Sequence, residues 1–468
     1  MCDGGILGLD LGTRLQSGRK TSSLSHHYGV RYDGGMPIQD QLPPLATEAQ
    51  RVLFSPVERE LFCIAYHPDW LSDLPEAPLS DTEWNAKLAN LTEAEVQGLR
   101  EQLVRWQRLR DGLLLSAEPD ANKSGRPVIP RDPGVSLRQL QPDAQYHPAL
   151  HVASLDFEQR ILDALRGGVS VNLLGGNEQG KSWWIQHILR TLQKQHPDIK
   201  TLYVDLSRWS TEDLEHRHNL FRKLREELLH QLRLTASELH GIPTNPESFD
   251  EVWPLLAAYH QRPECRAHQL VLALDGTNAL LDSPTVDAFF GPLRALMQDA
   301  DYVSLLVSLS APPVSVIRNV RQSRLSWGET HVVPDLSIDQ LAPLSEKYGL
   351  ALGQDDKQRL WRLLSGQPYL VRWALYSACR DGVQPLSFLL EEAASLPDGG
   401  TLFHNYFTSL RAHLVRDHLD TLQKVFSQAG RGCPEDHLRR LTIQGLIVPH
   451  RRGGHRLHCR LFLHLLRQ

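Results

Sequence analysis

Val169-Ser-Val-Asn-Leu-Leu174 runs directly into Gly175-Gly-Asn-Glu-Gln-Gly180-Lys181-Ser182. The first six residues are an apolar run of strand length, and the next eight match the pattern G-x-x-x-x-G-K-[ST]. The apolar spacing of residues 183–193 then predicts a helix. Strand, glycine-rich loop and helix therefore follow one another in the order that a phosphate-binding loop requires.

The residue types in this loop indicate polyphosphate binding. Glycines let the backbone curl until successive N–H groups, and the N-terminus of the next helix, point at a phosphate. Lys181 supplies a cation for the β- and γ-phosphates, and Ser182 supplies a hydroxyl for Mg²⁺. We predict that ATP or ADP binds with Mg²⁺ at a continuous segment made of Gly175, Gly176, Asn177, Glu178, Gln179, Gly180, Lys181, Ser182 and Trp183.

A second apolar run, residues 270–274, ends in Asp275. Because a carboxylate at the end of a neighbouring strand holds Mg²⁺ in such sites, Ser182 and Asp275 are the predicted metal residues. Lys181 and Asp275 are the predicted catalytic residues. The next position is Gly276, where many hydrolysing relatives carry the Glu that polarises the attacking water. We therefore expect hydrolysis to be slow or absent unless Asp275 or another polar group takes over that role.

Other polar residues near strand ends are further candidates. Asn278 follows Asp275 closely, and Asp205 closes another apolar run, where we interpret it as a structural or sheet-edge carboxylate. Ser308 and Ser310 end a fourth run and are candidate sensors of the γ-phosphate, although serines at strand ends also satisfy backbone groups. Three arginines are arginine-finger candidates or, equally well, a solvated basic helix face: Arg318, Arg321 and Arg324.

Composition excludes several classes of protein. The chain has 468 residues, of which 41% are hydrophobic and 22% charged, with a formal net charge of -5. These values exclude a disordered chain and one that coats nucleic acid non-specifically, and no apolar run reaches the length of a membrane span. Six scattered cysteines without a C-x-x-C pair suggest neither a disulfide framework nor a standard zinc site. We predict a cytoplasmic protein without a membrane partner.

The chain divides into six predicted parts. Residues 1–35 form a tail, 36–115 a helical N-terminal module, 116–148 a proline-rich linker, 149–335 the α/β phosphate-loop domain, 336–414 a helical lid and 415–468 a final small domain. In the N-terminal module, Thr92 and Glu95 form a predicted capping box ahead of one apolar stripe: Val96, Leu99, Leu103, Trp106 and Leu113.

Residues 6–13, Ile-Leu-Gly-Leu-Asp-Leu-Gly-Thr, form a short motif in the predicted tail. The motif resembles the first phosphate loop of actin-like ATPases or the first strand of an RNase H-like nuclease. Such folds need further acidic strands soon afterwards, and residues 17–35 offer none, so we interpret the match as fortuitous.

Residues from about 135 to 468 resemble the AAA-like domain family within the bacterial STAND-type signalling P-loop ATPases. The resemblance rests on the phosphate loop and on five other segments: Tyr146-His-Pro-Ala-Leu-His151, Tyr203-Val-Asp-Leu-Ser207, Asp287-Ala-Phe-Phe-Gly-Pro-Leu-Arg294, Gly366-Gln-Pro-Tyr-Leu370 and Gly399-Gly-Thr-Leu-Phe403. It implies a P-loop NTPase parallel sheet with a helical lid, in which Gly366 and Pro368 contact the base and ribose. The residues themselves also fit a simple helix stop and restart at that point.

The C-terminal segment predicts a winged helix. Helical patterns are followed by residues 445–449, a basic Gly-rich turn at 451–454 and a second short strand. Such a module can bind DNA through basic residues, here Arg439, Arg440, Arg451 and Arg452, or can pack against the nucleotide domain as a moving part. We favour packing, because no aromatic interleaving accompanies the arginines.

These observations lead to three hypotheses about function. The first is an ATP-binding switch in bacterial signalling or defence, whose nucleotide state controls conformation, homo-oligomer assembly and engagement of a protein effector. The alternative is a DNA-binding ATPase, such as a transposition or target-selection regulator, that uses the winged helix. A scaffold with a structural nucleotide is the third.

Overall fold

The computed structural model describes the protein in segments: residues 45–49, 52–53, 55–71, 78–110, 135–265, 269–280, 283–310, 328–381, 386–396, 399–412 and 414–467. The predicted tail with its residue 6–13 motif, Leu113 and the three finger candidates Arg318, Arg321 and Arg324 lie outside these segments.

Helices alternate with strands in the first two thirds of the described chain and dominate the rest. The first part contains α1 (Pro56–Tyr66), α2 (Asp81–Ala89), α3 (Glu93–Arg110), α4 (Leu137–Leu140), α5 (Leu155–Arg166), β1 (Val171–Leu174), α6 (Lys181–Gln195), β2 (Ile199–Asp205), α7 (Thr211–Glu215), α8 (Arg217–Leu232), α9 (Phe249–Val252), α10 (Pro254–His260), β3 (Gln269–Asp275), α11 (Val286–Asp299), β4 (Val303–Leu309) and β5 (Glu329–Val332). The second contains α12 (Ile338–Lys347), α13 (Gln354–Leu364), α14 (Pro368–Asp381), α15 (Leu386–Ser395), α16 (Gly400–Ala412), α17 (Arg416–Gln428), α18 (Glu435–Ile443), β6 (Ile447–Pro449) and β7 (His455–Leu457).

Strands β1 to β5 form one parallel sheet in the order β2-β3-β4-β1-β5. Side chains alternate across it: Leu270, Leu272 and Leu274 of β3 pack with α8 and α11, whereas Val271 and Ala273 pack with α5 and α6. Because helices cover both faces, β3 and β4 are apolar almost throughout, as parallel strands usually are. This confirms the predicted α/β class.

The order of the strands positions the site. Strand β4 lies between β1, which leads into the phosphate loop, and β3, which ends in Asp275. Asp275 is level with Asp205 of β2 in the sheet register. Since all five strands are parallel, the loop, both carboxylates and the serines at the end of β4 meet at one edge.

The helices of the N-terminal module share a core with the lid. Residues of α1 to α3 belong to the same apolar cluster as α12 to α16 and the 3₁₀ helix Arg460–Leu466. The predicted Thr92–Glu95 capping box forms, and the described part of the predicted stripe is buried: Val96, Leu99, Leu103 and Trp106.

Buried ion pairs cross this shared core. Arg460 Nε donates to Glu60 Oε2 at 3.0 Å, and Arg467 Nη2 donates to Glu58 Oε2 at 3.1 Å. Glu58, Glu60 and Arg460 are all within 2% of complete burial. At the C-terminal end of α1, Tyr66 donates to Glu391 of α15 at 2.6 Å. The described part of the module is therefore fastened to the lid and to the C-terminal segment by charged as well as apolar contacts.

Residues 135–148, the described end of the predicted linker, are packed. Leu140 is 1% exposed, and the carbonyls of Gln141 and Pro142 accept hydrogen bonds from Arg372 of α14 at 3.1 and 3.3 Å. The proline-rich composition predicts a linker over residues 116–148, and its described end lies against the core because prolines break helices without preventing the intervening side chains from packing.

The C-terminal segment consists of α17, α18 and the antiparallel hairpin β6–β7. The hairpin turn contains Gly453 and Gly454 at positive φ, and a Cβ on Gly454 would lie 2.4 Å from the carbonyl oxygen of Ala429. Only glycine fits that contact. The winged-helix interpretation of these elements stays a prediction.

Candidate functional site

The phosphate loop occupies residues 175–180, between β1 and α6. Gly180 adopts φ +82°, a left-handed conformation that glycine reaches without strain, and α6 begins at the next residue, Lys181. The first N–H groups of α6 have no partner within the helix, so together with the loop they form the anion-binding end that the sequence predicts.

Lys181 is the buried cation of the loop. Its Nζ donates to the carbonyls of Gly175 and Gly176 at 2.8 and 2.7 Å and to Ser310 Oγ at 3.0 Å. Burial lowers the pKa of Lys181 to about 8, although the Asp275 carboxylate acts in the opposite direction. A polyphosphate would supply the negative charge that this desolvated ammonium lacks.

Asp275 is 1% exposed at the end of β3. Its Oδ2 accepts a hydrogen bond from the Tyr203 hydroxyl at 3.0 Å, and its Oδ1 accepts one from the Gly276 N–H at 2.8 Å. Burial raises the pKa of Tyr203, and the charge on Asp275 raises it further. Asp275 and Ser182 line the same cavity, and such hard oxygen donors fit Mg²⁺.

A small polar network joins the phosphate loop to the ends of β3 and β4. The Asn278 amide donates to Asn177 Oδ1 at 2.9 Å and also to Ser310 Oγ. The Gly276 N–H donates to Ser308 Oγ at 3.0 Å. Ser310 therefore contacts both Lys181 and Asn278, whereas Ser308 lies against Gly276. The Asn177–Asn278 contact is one that spacing could not reveal.

Gly276 cannot carry the side chain that hydrolysing relatives place there. Its φ is +65°, and a Cβ would lie 2.5 Å from the backbone nitrogen of Ser207 and 2.7 Å from its Cβ. The 3₁₀ helix Leu206–Arg208, which follows β2, fills the space above this glycine. The close packing between the ends of β2 and β3 therefore leaves no room for a Glu side chain at position 276.

A cavity of about 590 Å³ opens beside the loop. Pockets for small molecules usually have about 300–1,000 Å³. Its far wall is aromatic and includes Tyr146, Trp183 and Tyr369. Arg372 of α14 lies 4.4 Å from the centre of the Trp183 ring and donates to the Tyr348 hydroxyl at 2.9 Å. Helix α14 therefore contributes stacked, amphipathic side chains to the wall of the cavity.

Two stacked histidines lie near Trp183, and one of them, His151, lines the cavity. The rings of His151 and His187 stack with centroids 3.6 Å apart. Burial lowers the pKa of His151 to about 3, and the charge of a protonated His187 lowers it further. The Trp183 Nε1–H donates to His151 Nδ1 at 3.2 Å, so neutral His151 carries its proton on Nε2. His187 Nε2 lies 2.9 Å from Glu158. His151 Nε2 therefore carries a hydrogen, for which the described residues offer no acceptor. In this tautomer the nitrogen has no lone pair for a metal ion, although His151, Glu158 and His187 lie close enough together to hold one.

Glu178 is an unexpected group in the wall. In the sequence it is only a variable position of the loop. In the structure its φ is +62°. Burial and, second, the charge of Asp143 raise the pKa of its carboxyl group to about 7. Its carbonyl accepts a hydrogen bond from Gln367 at 3.3 Å. A carboxyl group that titrates near neutrality therefore lies between the loop and the lid, and no sequence pattern announces it.

The predicted residues do not all line the cavity. Asn177, Glu178, Gln179, Gly180, Lys181, Ser182, Trp183, Asp275 and Pro368 do. Gly366 lies behind the wall at φ +76°, where its carbonyl accepts from Leu336 at 2.8 Å and a Cβ would lie 2.0 Å from the Leu336 oxygen. Gly175 supplies a carbonyl to Lys181, and Gly176 makes the contact described next.

The C-terminal segment packs directly on the phosphate loop. The Asn177 N–H donates to the Ile443 carbonyl at 2.8 Å, and a Cβ on Gly176 would lie 2.5 Å from the Cα of Gly445. The two backbones can approach this closely because both residues are glycines. The loop that faces the cavity on one side therefore faces the α18–β6 turn on the other.

An ion pair reinforces this contact. His458 Nε2 lies 3.0 Å from both carboxylate oxygens of Asp335, and Gln179 donates to Asp335 at 3.3 Å. Burial alone would lower the pKa of His458, but the Asp335 carboxylate outweighs it and raises that pKa above its usual value. The Asp335–Gln179 contact thus joins His458 to the phosphate loop.

None of the described helices is both long and apolar enough to cross a membrane.

The chain is similar in fold to a Walker-type ATPase of Pyrococcus abyssi, with 15% identity, a TM-score of 0.50, 71% of this chain covered and 100% of that one. Weaker likenesses include the Aeropyrum pernix Orc1 protein in complex with DNA (16% identity, TM-score 0.36, coverage 70% and 95%) and a STAND protein with a tetratricopeptide repeat sensor from Pyrococcus horikoshii (13%, 0.28, 70% and 44%). No curated protein sequence matches the chain.

The family model named AAA-like domain matches residues 141–468. The match includes the phosphate loop, Asp275, the lid and the C-terminal segment, and it begins where the described chain starts to line the cavity. The chain therefore belongs to the AAA-like domain family of P-loop ATPases.

Proposed function

We propose that the protein is a nucleotide-operated switch of the STAND type. ATP or ADP binds with Mg²⁺ along residues 177–183, and the identity of the nucleotide determines how the phosphate loop meets the C-terminal segment. The observation that carries the proposal is the backbone contact from the Asn177 N–H to the Ile443 carbonyl, 2.8 Å long, beside the close approach of Gly176 and Gly445.

Phosphate binding and this contact compete for the same few residues. Lys181 donates to two loop carbonyls and to Ser310, and Ser310 belongs to the network of Asn177 and Asn278. When Lys181 turns toward a polyphosphate, these bonds change, and Asn177 is the residue whose N–H reaches Ile443. A change at the phosphates is thereby converted into a change at the C-terminal segment.

Turnover is slow in this proposal. Ser207 fills the space in which a Glu side chain would orient water, and the Asp275 carboxylate is occupied by Tyr203 and Gly276. Long-lived nucleotide states suit a switch better than a motor, because the state must persist until a partner responds.

The switch would act through a protein effector and through homo-oligomerisation, in the cytoplasm of a bacterium, in signalling or defence. The charged contacts between the N-terminal helices and the lid support this output. Arg105 and Tyr66 both bind Glu391 of α15, so movement of the lid would be felt in the module.

Hydrogen–deuterium exchange of the full chain tests the switch, with Mg-ADP, with Mg²⁺ and a slowly hydrolysed ATP analogue, and without nucleotide. We expect the exchange of residues 176–178 and 443–447 to differ between the two nucleotides. The variant Lys181→Ala should give three identical profiles. Identical profiles for the wild type would refute the switch, and binding without a difference would leave a scaffold with a structural nucleotide.

A DNA-binding ATPase is a second candidate because Arg451 and Arg452 are exposed together at the tip of the β6–β7 hairpin. If this hairpin binds phosphates, duplex DNA should be retained at low salt and lost with the double variant Arg451→Glu, Arg452→Glu. Absence of retention at low salt excludes this function and leaves the switch unaffected.

A further inference from the structure

The segment that covers Gly276 carries a cation into the cavity. We propose that Arg208 binds the terminal phosphate of a nucleoside triphosphate and so lets the protein distinguish ATP from ADP. This inference rests on the proposed nucleotide site and adds a residue that neither the phosphate-loop pattern nor the Mg²⁺ position includes.

The sheet register places Arg208 close to the phosphates. Asp205 and Asp275 are paired residues at the ends of adjacent parallel strands, and Leu206–Arg208 continues from Asp205 across the top of Gly276. Arg208 lines the same cavity as Lys181 and Asp275. The terminal phosphate of a nucleotide held by Lys181 would extend toward this edge, because the γ-phosphate projects from the loop toward the Mg²⁺ carboxylate.

Asp205 orients the guanidinium. Its Oδ2 lies 2.8 Å from Arg208 Nε in an ion pair, while its Oδ1 accepts from the Ser207 N–H at 3.1 Å and from the Ser207 hydroxyl at 2.5 Å. The carboxylate is therefore fixed by the backbone of the same turn, and it uses only the inner nitrogen of Arg208. The two terminal nitrogens form the planar fork that binds phosphate oxygens in pairs.

The other cations around the cavity are committed elsewhere. Among the described residues that line it, the Lys and Arg side chains are Lys181, Arg208 and Arg372. Arg372 stacks on Trp183 and donates to the Tyr348 hydroxyl and to two backbone carbonyls. Lys181 lies within the loop itself. Arg208, 61% exposed, is thus the described cation best able to meet a third phosphate without breaking a buried contact.

A surface ion pair between residues three apart would look similar, and such pairs contribute little to stability. The two interpretations differ in their consequences. If Arg208 only forms a surface ion pair, its replacement changes the affinity for neither nucleotide. If Arg208 binds the terminal phosphate, its replacement lowers the affinity for ATP and leaves the affinity for ADP unchanged.

Calorimetric titration of the full chain with ADP and with ATPγS, each with Mg²⁺, separates them. We expect Arg208→Gln to weaken ATPγS binding by about tenfold or more, the usual value of a charged hydrogen bond, and to change ADP binding by less than about twofold. Arg208→Lys should restore part of the loss, and Asp205→Asn should give a smaller loss of the same selectivity. Arg217→Gln, an exposed substitution at the start of α8, is the matched control.

Each outcome is informative. Equal weakening of both nucleotides, or unchanged ATPγS binding, overturns the role of Arg208 and leaves the nucleotide site intact. Failure of the wild-type protein to bind either nucleotide overturns both the proposed function and this inference.

Discussion

Replacing Lys181 with methionine removes the buried charge while keeping most of the side-chain volume. Burial lowers the pKa of Lys181 from 10.5 to about 8. Because the folded-state pKa is lowered, the folded chain favours the neutral amine. This contribution to stability is present above pH 10.5 and is lost as the pH falls through about 8. At pH 7 the folded chain therefore carries the whole cost of the buried charge, on the order of 3 kcal/mol.

The hydrogen bonds of the ammonium offset this cost. Nζ donates to Gly175, Gly176 and Ser310, and three such bonds are worth about 3 kcal/mol at about 1 kcal/mol each. Methionine removes both the cost and the bonds, so we expect the ligand-free stability of Lys181→Met to lie within about 1 kcal/mol of the wild type. Ligand binding behaves differently, since nucleotide at a hundredfold excess over its Kd adds about 2.7 kcal/mol to a chain that binds it.

Thermal unfolding with and without Mg-ADP measures both quantities. At that hundredfold excess the wild type should gain about 3 °C with nucleotide, because the unfolding entropy of a chain of this length is about 1 kcal/mol/K, and the methionine variant should gain none. Lys194→Met, an exposed substitution at the other end of α6, should keep the full gain. A methionine variant that still shifts would refute the phosphate-binding role of Lys181. A ligand-free variant that is several degrees less stable would instead refute the burial argument.

Three further predictions follow from other contacts. Nucleotide affinity should be constant below pH 8 and fall above it by up to about tenfold per pH unit, because Lys181 must take up a proton to meet the phosphates; a flat titration between pH 7 and 9.5 would contradict this. Gly276→Ala should lower the free energy of unfolding by about 2 kcal/mol or more in urea denaturation, from the left-handed φ and the Cβ contact with Ser207, and an unchanged transition midpoint would show that the Leu206–Arg208 turn yields. Arg460→Met should cost about 3–5 kcal/mol by leaving Glu60 buried without its partner, and adding Glu60→Gln should recover part of that loss; strict additivity of the two changes would argue against the pair.

The site was predictable where its residues are close in sequence. Residues 169–182 contain strand and loop in one continuous segment, so spacing predicted the order strand, loop and helix. The helix α6 begins at Lys181, two residues before the predicted start at residue 183. Asp275 lies almost a hundred residues later, but an apolar run ending in a carboxylate predicted its strand and its position at the strand end. Local patterns suffice when each partner sits at the end of its own strand.

The sequence favoured packing of the C-terminal segment against the nucleotide domain, but the individual contacts between these distant segments were not predictable. The Asn177–Ile443 bond and the approach of Gly176 to Gly445 depend on how two separately patterned units dock, and backbone groups leave no trace in a pattern of side chains. The sequence shows that Glu is absent at position 276, but only the packing of Ser207 on Gly276 shows the physical reason. The raised pKa of Glu178 and the lowered pKa of His151 arise from burial, which a single sequence does not show residue by residue.

The ion pairs of Glu58 and Glu60 also bear on how the chain is made. Arg460 and Arg467 follow their partners by 400 and 409 positions, so both carboxylates leave the ribosome long before the arginines that neutralise them. Until translation reaches those codons, α1 has no low-energy place to bury its acidic side chains. The core shared by α1 and the lid is therefore completed last. In a product truncated before Arg460, Glu58, Glu60 and the apolar side chains around them would be exposed to the chaperones and proteases of the cell.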